Sequence, residues 1–305
     1  MQRVLSLDPA GTDMMIALGL ESWLVGVTHQ CDLPEGIELP RVTRCSIDRS
    51  MDSRQIDDHV RQQQSSGTPV VLHDSEAIAA LRPDLILVQD LCSACGIIPQ
   101  HLRLVLESHP QVESMALAPR DWSEILESID RLGHCLEQPK QAESLVRRLE
   151  ERRQRLVDNS MQRPKRRSVG LEWLEPLYGI GHWTIELLKN VGLIEQLGEA
   201  GEKSHPIDWN RLMEVDPDCL LVACCGLDAN RAQEEFQRIS KPGQWLKLRA
   251  VEMGKILFLD GNRGFSRPGP FLIDRLEEID RWLTSDSSQR VAMAPEATRQ
   301  KLSNR

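Results

Sequence analysis

Two cysteines, Cys92 and Cys95, stand in C-x-x-C spacing in "DLCSACG", directly after the apolar run "LRPDLILVQ". That spacing lets two thiolates reach one zinc ion or exchange electrons, and small thiols also pack as compact apolar groups. His29 and Cys31, in "THQCDLP", complete a formal Cys/Cys/Cys/His set suited to zinc or another metal ion. The residue types alone leave three uses open: lining a ligand site, holding a metal, or redox exchange. His182, in "GHW", is the other candidate ligand. A neutral imidazole there can bind a metal or hydrogen-bond a ligand, and the helix that should follow turns its free N–H groups toward the loop. Glu172, Trp173 and Trp183 flank it. An indole in a glycine-containing loop is either a cap over the core or a flat wall for a planar ligand. Arg267, in the rigid turn "RPGP", suits an acidic ligand group or an ion pair that holds the turn.

The chain carries no phosphate-binding glycine fingerprint, no G-x-S-x-G elbow and no H-E-x-x-H. No nucleophile and base can be paired. A binder is therefore expected before an enzyme. The enzymatic alternative is a cleft thiolate, such as that of Cys92, acting on a bound cofactor.

The elements that position these residues follow an α/β plan. "RVLSLDPAGTDMMIALGL" reads as strand, loop and helix, with Thr12 as an expected N-cap and Gly19 closing the helix. "WLVGVT", "PVVLH" and "LILV" read as further strands, and continuous apolar strands alternating with helices indicate parallel sheets. A second series begins near Ser168, where "VDPDCLLVACCG" echoes "LRPDLILVQDLC". Between the series, Asp121 and Glu124 suggest a capping box, and Pro139 opens a long helix. The expectation is two Rossmann-like lobes, 1–118 and 161–284, joined by a helical connector over 119–160 that is long and rigid. The polar stretch 285–305 is expected to be a mobile tail. In open parallel sheets ligands bind beyond the carboxyl ends of the strands. The loops after the strands hold five of the eight cysteines, two of the eight histidines and two of the seven tryptophans.

The chain has 305 residues, 40% hydrophobic and 27% charged, with a net charge of −9. That balance speaks against a nucleic-acid partner, which would need a basic stripe; the short run "RPKRRS" is expected to be a solvated linker. No apolar run approaches membrane-spanning length, and no signal peptide is visible, so a cytoplasmic location with reduced thiols is expected, or a periplasmic one if a leader has been removed.

The segments "SLDPAGTDMMIALGL", "THQCDLP", "LRPDLILVQDLCSACG", "LEWLEPLYGIGHW", "DPDCLLVACCGLD" and "DGNRGFSRPGP" together resemble the helical-backbone, or class III, substrate-binding proteins, closest to the cobalamin-binding-protein-like branch. The resemblance implies a cleft between the lobes that takes a corrinoid such as cobalamin, or a related metal chelate, without catalysis. It implies ligand contacts from Pro9, Thr12, His29, Cys31, Asp90 and Cys92 in the first lobe. In the second it implies Trp173, His182, Trp183, Gly226, Asn262, Phe265 and Arg267. An ABC-transporter permease is the macromolecular partner that such proteins imply, although the missing leader and the thiols depart from exported members. Oligomeric state is not legible.

Overall fold

The computed structural model describes residues 2–89, 102, 106–107 and 110–285. Asp90, Cys92, Cys95 and the polar tail beyond Ser285 thus lie outside the described residues. The chain divides into two compact units, Met1–Arg148 and Leu149–Arg305.

In the first unit, β1 (Val4–Ser6), β2 (Leu24–Val27), β5 (Leu85–Gln89) and β6 (Glu113–Leu117) form one parallel sheet in the order β2-β1-β5-β6. Leu85, Ile86, Leu87 and Val88 are all buried, as a strand covered on both faces requires. "PVVLH" departs from expectation. It forms β4 (Val71–His73), which pairs antiparallel with β3 (Thr43–Cys45) as a separate ribbon. Only Val71 of that strand is buried while Leu72 and His73 are half-exposed, so it lacks the two covered faces of a central strand.

Helix Pro9–Ala17 follows β1 directly. Its N-cap is Asp8, whose carboxylate accepts the Ala10 N–H at 3.1 Å, with Pro9 preset at the first helical position. Thr12, expected to cap, lies a turn further in and donates to Cys31 Sγ at 3.0 Å. Helix Trp122–Cys135 is capped by Asp121, which accepts the Glu124 N–H; the Glu124 carboxylate accepts from Arg120 instead of closing the box. Helix Pro139–Met161 is 23 residues long, and the division between the units falls inside it.

In the second unit β7 (Arg166–Leu174) is the central strand. It pairs parallel with β10 (Cys219–Val222), which pairs parallel with β11 (Ile256–Phe258). On its other side β9 (Leu193–Glu195) runs parallel to its first half, and β8 (Leu177–Gly179) antiparallel to its second half. The run "RPKRRS" is not a solvated linker. Arg163 is paired with Asp280, and Arg166 to Ser168 already belong to β7, ending in the fully buried Ser168. Arg152 likewise reaches the last helix, Leu272–Thr284, donating to Asp274 at 2.6 Å and to both carboxylate oxygens of Glu277.

The echoed "RPD" and "DPD" do the same work in both sheets. The residue before each proline, Arg82 and Asp216, has φ of 43°. Asp84 accepts the Arg3 N–H at 2.8 Å and returns its own N–H to the Arg3 carbonyl at 2.8 Å. Asp218 does the same with Arg167, at 2.9 Å in both directions. The Arg3 guanidinium then reaches the Leu81 carbonyl, and that of Arg167 reaches the Val215 carbonyl. Each clamp fixes the register of a neighbouring strand at the amino end of its sheet.

Candidate ligand-binding site

At the carboxyl end of the second sheet, three loops are hydrogen-bonded into one rim. The Cys225 N–H donates to the Glu172 carbonyl at 3.1 Å, tying the loop after β10 to the end of β7. The N–H groups of Gly261 and Asn262 both donate to the Leu227 carbonyl, tying in the turn after β11. That turn, Gly261–Phe265, is a single π-helical turn. It also sits hard on β10, since a Cβ at Gly261 would lie 2.1 Å from the Cys224 carbonyl oxygen. Finally, the Trp183 indole N–H donates to the Phe265 carbonyl at 3.1 Å.

This geometry separates the expected contacts. Trp183 and Phe265 are each only 6% exposed, so the Trp183 indole is spent on holding the rim together and not on forming an open wall. Glu172, Trp173, His182 and Asn262 are half-buried, and Gly226 is exposed. Arg267 is 5% exposed and donates to Asn262 Oδ1 at 3.1 Å, which places a nearly buried cation behind the rim. Of the cysteine doublet, Cys224 is buried and Cys225 exposed.

His182 has φ of 56°, a left-handed conformation that costs a side-chain-bearing residue energy and persists only where its surroundings enforce it. The enforcement comes from the segment after β9. The His182 N–H donates to the Glu202 carbonyl at 2.6 Å, and the Gly201 N–H donates back to the His182 carbonyl at 3.1 Å. The neighbouring Gly181 leaves no room for a side chain, because a Cβ there would lie 2.4 Å from Ser204 N. The imidazole stacks on Trp183 with ring centroids 5.3 Å apart. Burial first, then the charge of Lys203, holds its pKa below the ordinary histidine range, so the ring is neutral at pH 7.

In the first unit, Thr12 and Thr28 both place hydroxyls on Cys31 Sγ, at 3.0 and 3.1 Å. Cys31 is 2% exposed, so its thiol locks the loop after β2 onto helix Pro9–Ala17. Pro9 is half-buried at the start of that helix. Arg41 braces the same loop by donating to the carbonyls of Thr28 and Cys31. His29 is half-buried, and its Nδ1 meets Thr43 Oγ1 at 2.8 Å while its buried Nε2 has no hydrogen-bond partner among the described residues. Burial, then Arg41 and Arg49, lowers its pKa. Among the described residues no three His, Cys, Asp or Glu side chains gather closely enough to hold a metal ion. The expected set of His29, Cys31, Cys92 and Cys95 extends beyond those residues.

A family model described as periplasmic binding protein matches residues 4–262. The chain belongs to that family. Its members are non-enzymatic transport components, so the thiol-dependent enzyme is set aside and a non-catalytic solute-binding protein stands. A periplasmic family leans against the expected cytoplasmic location. The chain is 26% identical over 222 residues to the Fe(3+) dicitrate-binding periplasmic protein FecB of Escherichia coli (strain K12), covering 72% of this chain and 69% of that one. A periplasmic heme binding protein from Pseudomonas aeruginosa superposes with a TM-score of 0.69 at 21% identity, over 92% of this chain and 91% of its own. The periplasmic vitamin B12 binding protein BtuF of Vibrio cholerae superposes with a TM-score of 0.66 at 19% identity, over 92% of this chain and 96% of its own. Among the described residues no helix is long and apolar enough to cross a membrane.

The segment 196–204, which shapes His182, escaped the sequence reading. Its signal was present in "LIEQLGEAGEKS", where an acidic residue ends a short strand and two glycines follow within six residues.

Proposed function

We infer that the protein binds a metal chelate of the corrinoid, haem or ferric-carboxylate class and passes it to an ABC-transporter permease. The observation that carries this reading is the hydrogen-bonded rim of the second unit. Its loops carry the half-buried Trp173 and His182, with the Arg267 cation behind Asn262. A planar or bulky chelate with acidic or amide substituents suits an indole, a neutral imidazole and a guanidinium better than a bare ion does. The relatives named above are described as binders of ferric dicitrate, haem and vitamin B12, which span this class. In this reading the ligand brings its own metal, and His182 bonds to the chelate or its axial position. The protein works outside the cytoplasm, where such a permease receives its cargo.

The test is titration of the purified protein with cobalamin, cobinamide, haemin and ferric dicitrate in turn. Quenching of tryptophan fluorescence and a shift of the chelate absorbance are followed together. Saturable quenching by one of the four is expected. Flat titrations with all four at high micromolar concentration would overturn the reading.

A further inference from the structure

We propose that Glu195 is a positioning residue for the ligand rim, its inward carboxylate holding the segment 196–204 against the Gly181–Trp183 turn so that the His182 loop is firmly held in mild acid and loosens as the pH rises through neutrality. Its role in ligand capture rests on the function proposed above; its hold on the segment does not.

The geometry begins at the end of β9. Glu195 Oε2 accepts the Gly170 N–H of β7 at 2.9 Å, and Oε1 accepts the Leu197 N–H at 3.1 Å. The Gln196 N–H between them donates to the Ser168 carbonyl of β7 at 3.0 Å. One side chain therefore ties the central strand to the start of the segment, and a backbone bond beside it does the same. The segment is then pressed onto the turn at two places. A Cβ at Gly198 would lie 2.4 Å from the Ile180 carbonyl oxygen, and the Glu202 carbonyl accepts the His182 N–H at 2.6 Å. The path from Glu195 to the strained His182 is a chain of backbone contacts with no flexible side chain after the first link.

Both carboxylate oxygens meet backbone donors, and the residue is half-buried. Burial pushes its pKa up to about 7, against the opposite pull of the neighbouring backbone N–H groups. The charged side chains on the packed elements are Arg166, Arg167 and Glu172 on β7, Glu199, Glu202 and Lys203 on the segment, and Glu186 and Lys189 on helix Thr184–Lys189. All but the half-buried Arg166 and Glu172 are exposed, and none sets the level of Glu195. His182 on the turn is neutral at pH 7. Cys219 on β10 feels Glu195, but burial lifts its own pKa to about 12 and keeps it a thiol across this range. The sign follows from linkage. The closed segment binds the Glu195 proton more tightly than an open segment with an ordinary carboxyl would, so closure is favoured most below about pH 4.5 and weakens as the pH rises to 7. Above that the closed state must bury a charge, and the segment opens more readily.

Amide hydrogen exchange of the full-length protein without ligand, corrected for intrinsic rates, reads this directly. Protection at His182 and Leu197 is expected to fall on the order of tenfold from pH 6 to pH 8. Protection at Leu220 and Leu221 should not change. In Glu195→Gln, which carries a neutral side chain at every pH, the dependence should vanish. A dependence that survives in Glu195→Gln, or wild-type protection flat with pH, overturns the proposal. Should Glu195→Gln fail to fold, the carbon-13 carboxyl resonance of wild-type Glu195 decides: a midpoint near 7 supports the proposal, and an ordinary carboxylate midpoint overturns it. Because no ligand enters these measurements, flat ligand titrations would refute the function proposed above and leave the hold of Glu195 standing.

Discussion

The indole N–H of Trp183 donates to the carbonyl oxygen of Phe265 at 3.1 Å, with both residues almost fully buried. This bond joins the start of one helix to the π-helical turn after β11. Trp183→Phe keeps an aromatic ring but leaves the Phe265 carbonyl without its donor. A loss of about 1–3 kcal/mol is expected, as for a buried acceptor left unsatisfied. Urea unfolding should show a lower midpoint with an unchanged slope. Ligand affinity should fall as well, because the rim loses one of its ties.

Gly181 has backbone atoms of Glu202, Lys203 and Ser204 within 2.8 Å of where a Cβ would stand. Gly181→Ala must push that segment outward, at about 1–3 kcal/mol, the usual range for overpacking. The protein should still fold, with faster amide exchange at His182. An unchanged exchange rate would contradict the tight approach.

The thiols differ sharply in access. Cys225 is exposed, whereas Cys31, Cys219 and Cys224 are buried, and burial pushes the pKa of Cys224 as well as Cys219 far up. Alkylation at neutral pH, mapped by peptide mass spectrometry, should label Cys225 quickly and those three only after denaturant is added. Early labelling of Cys31 would contradict its two hydroxyl partners.

Arg152 and Glu277 share two hydrogen bonds at the junction of two helices. Both side chains are about 30% exposed, so solvent screening limits the pair. A double-mutant cycle with Arg152→Met and Glu277→Gln should give a coupling of about 1 kcal/mol that shrinks with added salt. The hydrogen bonds from Arg152, first among the causes, lower the Glu277 pKa. Its stabilisation is thus complete above the ordinary carboxylate range and lost as the pH falls through the lowered value. The coupling should therefore be present at pH 7 and weaken in acid.

Strands such as Leu85–Gln89 and Cys219–Val222 were legible because they are continuous apolar runs, and the long helices because their buried faces repeat at helical spacing. The loops were legible only as places. Nothing in "GHW" distinguishes a ligand-facing indole from one that donates to Phe265, since that partner lies 82 positions away. Cys31 is a candidate metal ligand by type and neighbour, and its hydrogen bonds were not legible. Its thiol accepts from Thr12, whose part in this could not be read while Thr12 was taken for a cap. Glu195 was missed because an acidic residue in a polar stretch reads as solvated until the fold turns it inward. The β3–β4 ribbon was missed because pairing partners 26 to 30 positions apart leave no local trace.

The paired clamps of Arg3 with Asp84 and Arg167 with Asp218 sit at the amino ends of their sheets, away from the rim. Strand alignment is thereby settled at one edge of each sheet by backbone and aspartate alone. The opposite edge is relieved of that duty. Rim positions that make no tie to a strand can therefore change residue without shifting the strands beneath them, so a new cargo can be acquired there while the scaffold stays in register.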